Sequence, residues 1–112
     1  MTSYKLIHND RLKLLNKLKN NSVQLIITSP PYNIGKSYEK KKPFENYLKE
    51  QEKTLKECFR VLKKSGSLCW QVGSYFENSE LFPLDIYIHQ ICKTIGFKLR
   101  NRIIWHFEHG LH

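Results

Sequence analysis

Glycine, cysteine and acidic residues are all scarce in this chain, and each shortage removes a class of reading. Only 5 glycines occur among 112 residues, and they never gather into the Gly-x-Gly-x-x-Gly pattern of a dinucleotide-binding loop. The 3 cysteines, Cys58, Cys69 and Cys92, are an odd number without a CxxC pair or a secretory leader, so reduced thiols in a cytoplasmic protein are expected. No apolar run approaches the ~18 residues of a membrane span, which argues against a membrane partner. Asp and Glu total 10 against 19 Lys and Arg, a formal charge of +9 that suits a polyanionic partner and equally suits a lysine-rich solvated surface. The length allows a single domain with a modest core.

What the chain does contain is a strong alternation. Tyr4 to His8 is β-prone and ends at Asn9-Asp10, which can cap a helix over Arg11 to Leu18 with Leu12, Leu15 and Leu18 on one face. Val23 to Thr28 is a nearly continuous apolar run, the pattern of a strand covered on both faces. Asn33 to Pro43 reads as a surface loop, and Phe44 to Lys64 as an amphipathic helix ended by Ser65-Gly66. Ser67 to Val72 is the next strand, Leu84 to Ile95 a helix entered through Pro83, and Phe97 to Phe107 a last extended segment. Strand and helix thus alternate through the chain, which predicts an α/β sandwich with a largely parallel sheet and functional loops at the strands' C-terminal ends. Ser29 to Tyr32 and Gly73-Ser74 share that edge.

Two tempting motifs fail. Gly35-Lys36-Ser37 resembles the end of a phosphate-binding P-loop, but Pro30 stands where that motif needs glycine and no helix follows the lysine. His106, His109 and His112 are evenly spaced, yet Glu108 does not complete HExxH, and no metal is expected.

The stretch Ser29-Pro30-Pro31-Tyr32 stands apart. Two prolines end the apolar strand, each fixing its own φ and holding the residue before it extended, so the exit is stiff. An exocyclic amino group on a base is a poor nucleophile, because its lone pair is delocalised into the ring. Two acceptors on its N–H bonds would make it more tetrahedral, and the Ser29 hydroxyl oxygen and the Pro30 carbonyl could be those acceptors. Tyr32 could stack on a base extruded from a duplex. The same residues also fit a strand-ending turn, or a proline-rich ligand for a partner's aromatic groove.

Asp10-Arg11-Leu12 and the run from Leu25 to Lys36 closely resemble the start of the β-class DNA amino-methyltransferases of restriction-modification systems. The resemblance continues through Phe59 to Lys63, Gly66 to Gly73 and Asn101 to His106. It implies a partial Rossmann-like methyltransferase sandwich. It also implies site-specific transfer of a methyl group from S-adenosylmethionine to adenine N6 or cytosine N4 of double-stranded DNA, with the target base flipped. By the same resemblance Ser29, Pro30, Pro31 and Tyr32 match the catalytic motif, and Asp10 lies near the cofactor's adenosyl moiety unless it is simply the helix cap. Lys36, Lys40, Lys41 and Lys42 could meet DNA phosphates. Trp70 and Trp105 are expected in the core.

In that class the target-recognition segment and a glycine-rich Phe-x-Gly-x-Gly cofactor loop come later in the chain, and neither is found before His112. Residues 1–112 are therefore expected to be one incomplete catalytic region with an incomplete S-adenosylmethionine site. Alone it should be weak or inactive, its missing C-terminal half supplied as a separate chain. The alternative is a catalytically silent DNA-binding module, or a subunit needing a partner that carries the cofactor loop.

Overall fold

The computed structural model describes residues 2–33, 42–106 and 108. Most of the expected surface loop, with Gly35, Lys36, Ser37, Lys40 and Lys41, lies outside the described residues, as do Phe107, His109 and His112. The element order is α1 (Arg11–Lys17), β1 (Val23–Thr28), α2 (Phe44–Val61), β2 (Leu62–Trp70), β3 (Ser74–Glu77), β4 (Glu80–Pro83) and α3 (Leu84–Ile95). The chain is α/β: β1 and β2 pair in parallel, and β3 and β4 form an antiparallel hairpin.

Helix α1 starts where the sequence predicts. The Asp10 carboxylate accepts from the Leu12 and Lys13 backbone N–H groups at 3.1 and 3.3 Å, answering donors that a helix start leaves unpaired. Its far end is closed from another element. Arg60 of α2 donates to the Leu15 and Leu18 carbonyls at 2.8 and 2.9 Å and to the Asn20 side chain at 2.7 Å, fixing α1 against α2.

Helix α2 is the spine. Tyr47, Leu55, Cys58 and Val61 are buried along one face, each fully buried aliphatic stabilising the fold by about 1.5–3 kcal/mol. The helix ends at Val61, short of the expected Lys64. Leu62 turns to extended geometry (φ −71°, ψ 138°) and pairs with Val23, so sheet pairing overrides the helix-forming lysines that follow. Gly66 is accordingly no helix cap. It lies in β2, where a Cβ would stand 2.9 Å from the Gln24 carbonyl oxygen of β1. Residues 63–66 bulge there, since Leu25 is already opposite Ser67.

Three further expectations are corrected. The segments 4–8 and 97–106 form no strand: neither pairs with β1 or β2, and β-propensity without a neighbour's hydrogen bonds leaves them irregular. Trp105, expected in the core, is 75% exposed for the same reason. Strand β1 is covered on one face only, leaving Leu25 at 51% and Ile27 at 71% exposed. The β3–β4 hairpin is an addition to the expected elements. Its turn residues Asn78 and Ser79 both have positive φ (51° and 63°), the type I′ geometry that asparagine tolerates and that matches strand twist.

Tyr47, Tyr75 and Leu84 form a buried cluster, with Tyr32, Phe44, Leu48, Val72 and Phe82 packed on it. Phe44 is its hub: its ring lies 4.9 Å from Tyr75, 5.1 Å from Phe82 and 4.9 Å from Tyr87. Helix α3 begins after Pro83 with its own first residue, Leu84, fully buried, and stops at Gly96, whose φ of 132° suits only glycine.

Candidate active site

The C-terminal ends of the parallel strands are where an α/β sheet holds ligands, and Ser29 to Tyr32 leave β1 at that edge. These residues line an open cleft of 320 Å³. Gln71 donates from its backbone to the Thr28 carbonyl at 2.9 Å, so the pairing of β1 and β2 runs up to the point where the prolines begin. Beyond it the prolines offer no N–H, and side chains take over the work of holding the chain.

Tyr47 does most of it. Its ring is fixed in the aromatic cluster, and its hydroxyl donates to the Pro31 carbonyl at 2.6 Å. Asn33 supplies a second anchor. It is 1% exposed, holds a positive φ of 63°, and brackets the Lys42 backbone: its amide nitrogen donates to the Lys42 carbonyl and its amide oxygen accepts from the Lys42 N–H, both at 2.8 Å. This pairing copies a strand ladder with a side chain and closes residues 33 and 42 together. Gly73 is the third support. The Tyr32 ring lies against it, and a Cβ there would stand 3.2 Å from Tyr32 Cε2, so glycine makes room for the ring.

Ser29 Oγ and Tyr32 Oη are 3.2 Å apart. Either hydroxyl can be the donor, and in both cases Ser29 Oγ keeps a lone pair to offer a ligand. The Pro30 carbonyl takes no hydrogen bond among the described residues, whereas that of Pro31 is occupied by Tyr47.

Around the site, Lys42 Nζ donates to Glu50, which also lies 3.8 Å from Arg11 Nη2. The Lys42 hydrogen bond, with the nearby charges of Arg11 and Lys53, holds the Glu50 carboxyl below its usual range against partial desolvation. Burial, helped by the Glu77 carboxylate 2.7 Å away, pushes the Tyr75 phenol up to about 12. Burial also raises the Cys58 and Cys92 thiols to about 11. No cluster of His, Cys, Asp and Glu that could hold a metal occurs among the described residues.

A family profile for N6/N4 DNA methylases matches residues 23–112. The chain belongs to that family. Type II methyltransferase M.BglII of Bacillus subtilis is 46% identical over 109 residues, covering 96% of this chain and 30% of the relative. The DNA adenine methyltransferase YhdJ of Escherichia coli is 37% identical over 110 residues, 92% of this chain and 33% of its own length. Among solved structures, TTHA0409 of Thermus thermophilus, assigned as a DNA modification methylase, superposes with a TM-score of 0.70 at 32% identity, covering 82% of this chain and 38% of that one. Its complex with S-adenosyl-L-methionine superposes at 0.65 with 31% identity, covering 80% and 38%. This N6/N4 methylase chain thus spans about a third of the length of these relatives.

Within the family frame, the structure brings Ser29, Pro30, Pro31 and Tyr32 together in one cleft, with Gly73 against the tyrosine ring as the shared sheet edge predicts. Asp10 serves as the α1 cap, and Lys42 is engaged by Glu50. The supports Asn33, Tyr47 and Tyr75 escaped the sequence reading. Asn33, directly after the motif, carries a detectable signal, because asparagine is among the few residues that accept positive φ. Tyr47 carries none: on a helical wheel it is one more apolar-face residue.

Proposed function

We propose that this chain forms the base-facing part of an S-adenosylmethionine-dependent DNA methyltransferase that modifies the exocyclic amino group of adenine (N6) or cytosine (N4). The observation carrying this reading is a pair of acceptors on a proline-stiffened strand exit that lines the cleft: Ser29 Oγ and the Pro30 carbonyl, which takes no hydrogen bond among the described residues, beside the Tyr32 ring. Accepting the two N–H bonds of the target amino group, they would draw its lone pair out of conjugation. Tyr32 would stack on the flipped base. No strong general base is needed, since the surplus proton can leave to water after the methyl group arrives.

The cofactor is a reasonable fit to what is here, as one side of its site. The cleft opens at the ligand-binding edge of the sheet, and one carboxylate oxygen of Asp10 takes no hydrogen bond among the described residues, leaving it an acceptor for the adenosyl side. When bound, S-adenosylmethionine supplies an electrophilic methyl group on its sulfonium sulfur. The cofactor's glycine loop and the target-recognition segment would come from polypeptide outside these 112 residues, including a separate chain. The uncovered face of β1, with Leu25 and Ile27 exposed, supports that arrangement. Lys36, Lys40 and Lys41 are proposed to meet phosphates, giving binding that weakens as salt rises.

The test is to incubate the chain with radiolabelled S-adenosylmethionine and mixed-sequence DNA, alone and with a polypeptide carrying the cofactor loop, then digest the DNA to nucleosides. Labelled N6-methyladenine or N4-methylcytosine should form with the complement and hardly at all without it. Absence of both modified bases in the complemented reaction would refute the reading.

A further inference from the structure

We propose that Tyr47 is a positioning residue for methyl transfer, acting through a backbone torsion of the catalytic motif, ψ of Pro31, that its prolines leave loose. This inference rests on the function proposed above.

Consider which rotations the motif retains. The pyrrolidine rings fix φ of Pro30 and of Pro31, and the ring of Pro31 restricts ψ of Pro30. The next rotation, ψ of Pro31, is restrained by no ring. It turns the peptide joining Pro31 to Tyr32, and with it the direction in which the Tyr32 side chain leaves the backbone. The carbonyl oxygen of that peptide is the atom Tyr47 holds, at 2.6 Å. A hydrogen bond of this length from a buried, packed donor restrains the peptide plane.

Tyr47 is such a donor. It is 3% exposed, stands in the first turn of α2 with its N–H bonded to the Pro43 carbonyl at 3.0 Å, and packs in the cluster with Tyr75 and Leu84. Its hydroxyl is therefore delivered from the buried aromatic cluster. Tyr47 holds Tyr32 from the backbone side while Gly73 leaves space for its ring. A second consequence concerns selection between carbonyls. Tyr47 takes one lone pair of the Pro31 carbonyl, whereas the Pro30 carbonyl accepts no hydrogen bond among the described residues and keeps both for a target amino group. Tyr47 thus aims the stacking ring and makes Pro30 the better acceptor, without touching substrate.

The test is Tyr47→Phe, which keeps the packed ring and deletes only the hydroxyl. Labelling proline with carbonyl ¹³C gives one resonance for each of the 4 prolines. In Tyr47→Phe the Pro31 resonance should move to the position of a carbonyl without a strong donor, while those of Pro43 and Pro83 stay. In the complemented methylase kcat should fall about two- to tenfold, the effect of one neutral hydrogen bond, with KM for S-adenosylmethionine unchanged. An unmoved Pro31 resonance overturns the proposal whatever the activity. A shifted resonance with unchanged kcat refutes the positioning role of Tyr47 and leaves the proposed function standing. If the wild-type methylase itself transfers no methyl group, the proposed function fails and takes this positioning role with it.

Discussion

The α2-centred region and the two flanking segments carry similar sequences and reach opposite outcomes. Tyr47, Tyr75 and Leu84 are 3%, 2% and 0% exposed, while Tyr4, Leu6, Ile103, Ile104 and Trp105 are all at least 75% exposed. Both sets are rich in aromatic and branched residues. The difference is the partner: α2 meets helices on either side and the hairpin beneath it, whereas segments 2–10 and 97–106 meet no strand. The chain's radius of gyration, 15.3 Å, exceeds the ~13 Å of a compact domain this long, in keeping with flanks that join no sheet, although Arg102 reaches back to Asp85 of α3. Apolar composition states what a segment could bury, and neighbours decide whether it does. The Ser-Pro-Pro-Tyr exit falls on the well-partnered side, anchored by side chains from α2 where the sheet's own hydrogen bonds end.

The contrast is broken most directly by truncation in both regions. Leu84→Ala should cost about 2–5 kcal/mol through the cavity it leaves, while Ile103→Ala should change stability by less than ~0.5 kcal/mol. Urea denaturation of the two variants checks this, and equal losses would dissolve the distinction. Gly66→Ala comes next. A Cβ 2.9 Å from the Gln24 carbonyl oxygen meets backbone that cannot swing away, so a loss of about 1–3 kcal/mol is expected. A melting temperature equal to wild type would show that β1 and β2 are less closely apposed than described.

Arg60→Met sharpens the same comparison at the edge of the packed region. It keeps the apolar stem and removes the donors to Leu15, Leu18 and Asn20. Hydrogen exchange in α1 should rise by about tenfold, with α2 amides little changed, since a charged donor is worth ~1.5 kcal/mol.

Alkaline pH gives the broadest effect. Burial pushes the Cys58 and Cys92 thiols up from 9.0 to about 11 and the Tyr75 phenol from 10.0 to about 12. For each group the folded protein retains its proton where the unfolded chain has lost it. Their contribution is thus complete below pH 9 and falls as pH rises from 9 to 12. Tyr75→Phe should flatten the upper part of that decline in pH-dependent melting curves. An identical alkaline slope would mean that the Tyr75 phenol is not desolvated.

Much of the fold is legible in the residues alone. Asp10 as cap, Val23–Thr28 as strand and Leu84–Ile95 as helix all follow from local chemistry, and local chemistry prevails there. Where sequence and structure part, a distant partner decides. Leu62 leaves its helix because Val23 is available to pair with it, and 97–106 stays irregular because no strand is available. The hairpin is readable in part, since Asn78-Ser79 sits between Tyr75-Phe76 and Leu81-Phe82. At the candidate site the motif is legible and its scaffolding is not. Ser29 to Tyr32 are contiguous, but the contact from Tyr47 to Pro31 depends on how far α2 reaches over the sheet edge, and no spacing encodes that.

The central claim is that Tyr32 stacks on an extruded base, and binding to two DNAs tests it. The complemented methylase and its Tyr32→Ala variant are titrated with duplexes that differ only in whether the target base is present or replaced by an abasic site. Wild type should prefer the base-containing duplex, and Tyr32→Ala should lose ~1–3 kcal/mol of that preference while keeping its affinity for the abasic duplex. An unchanged preference in Tyr32→Ala would contradict the stacking role.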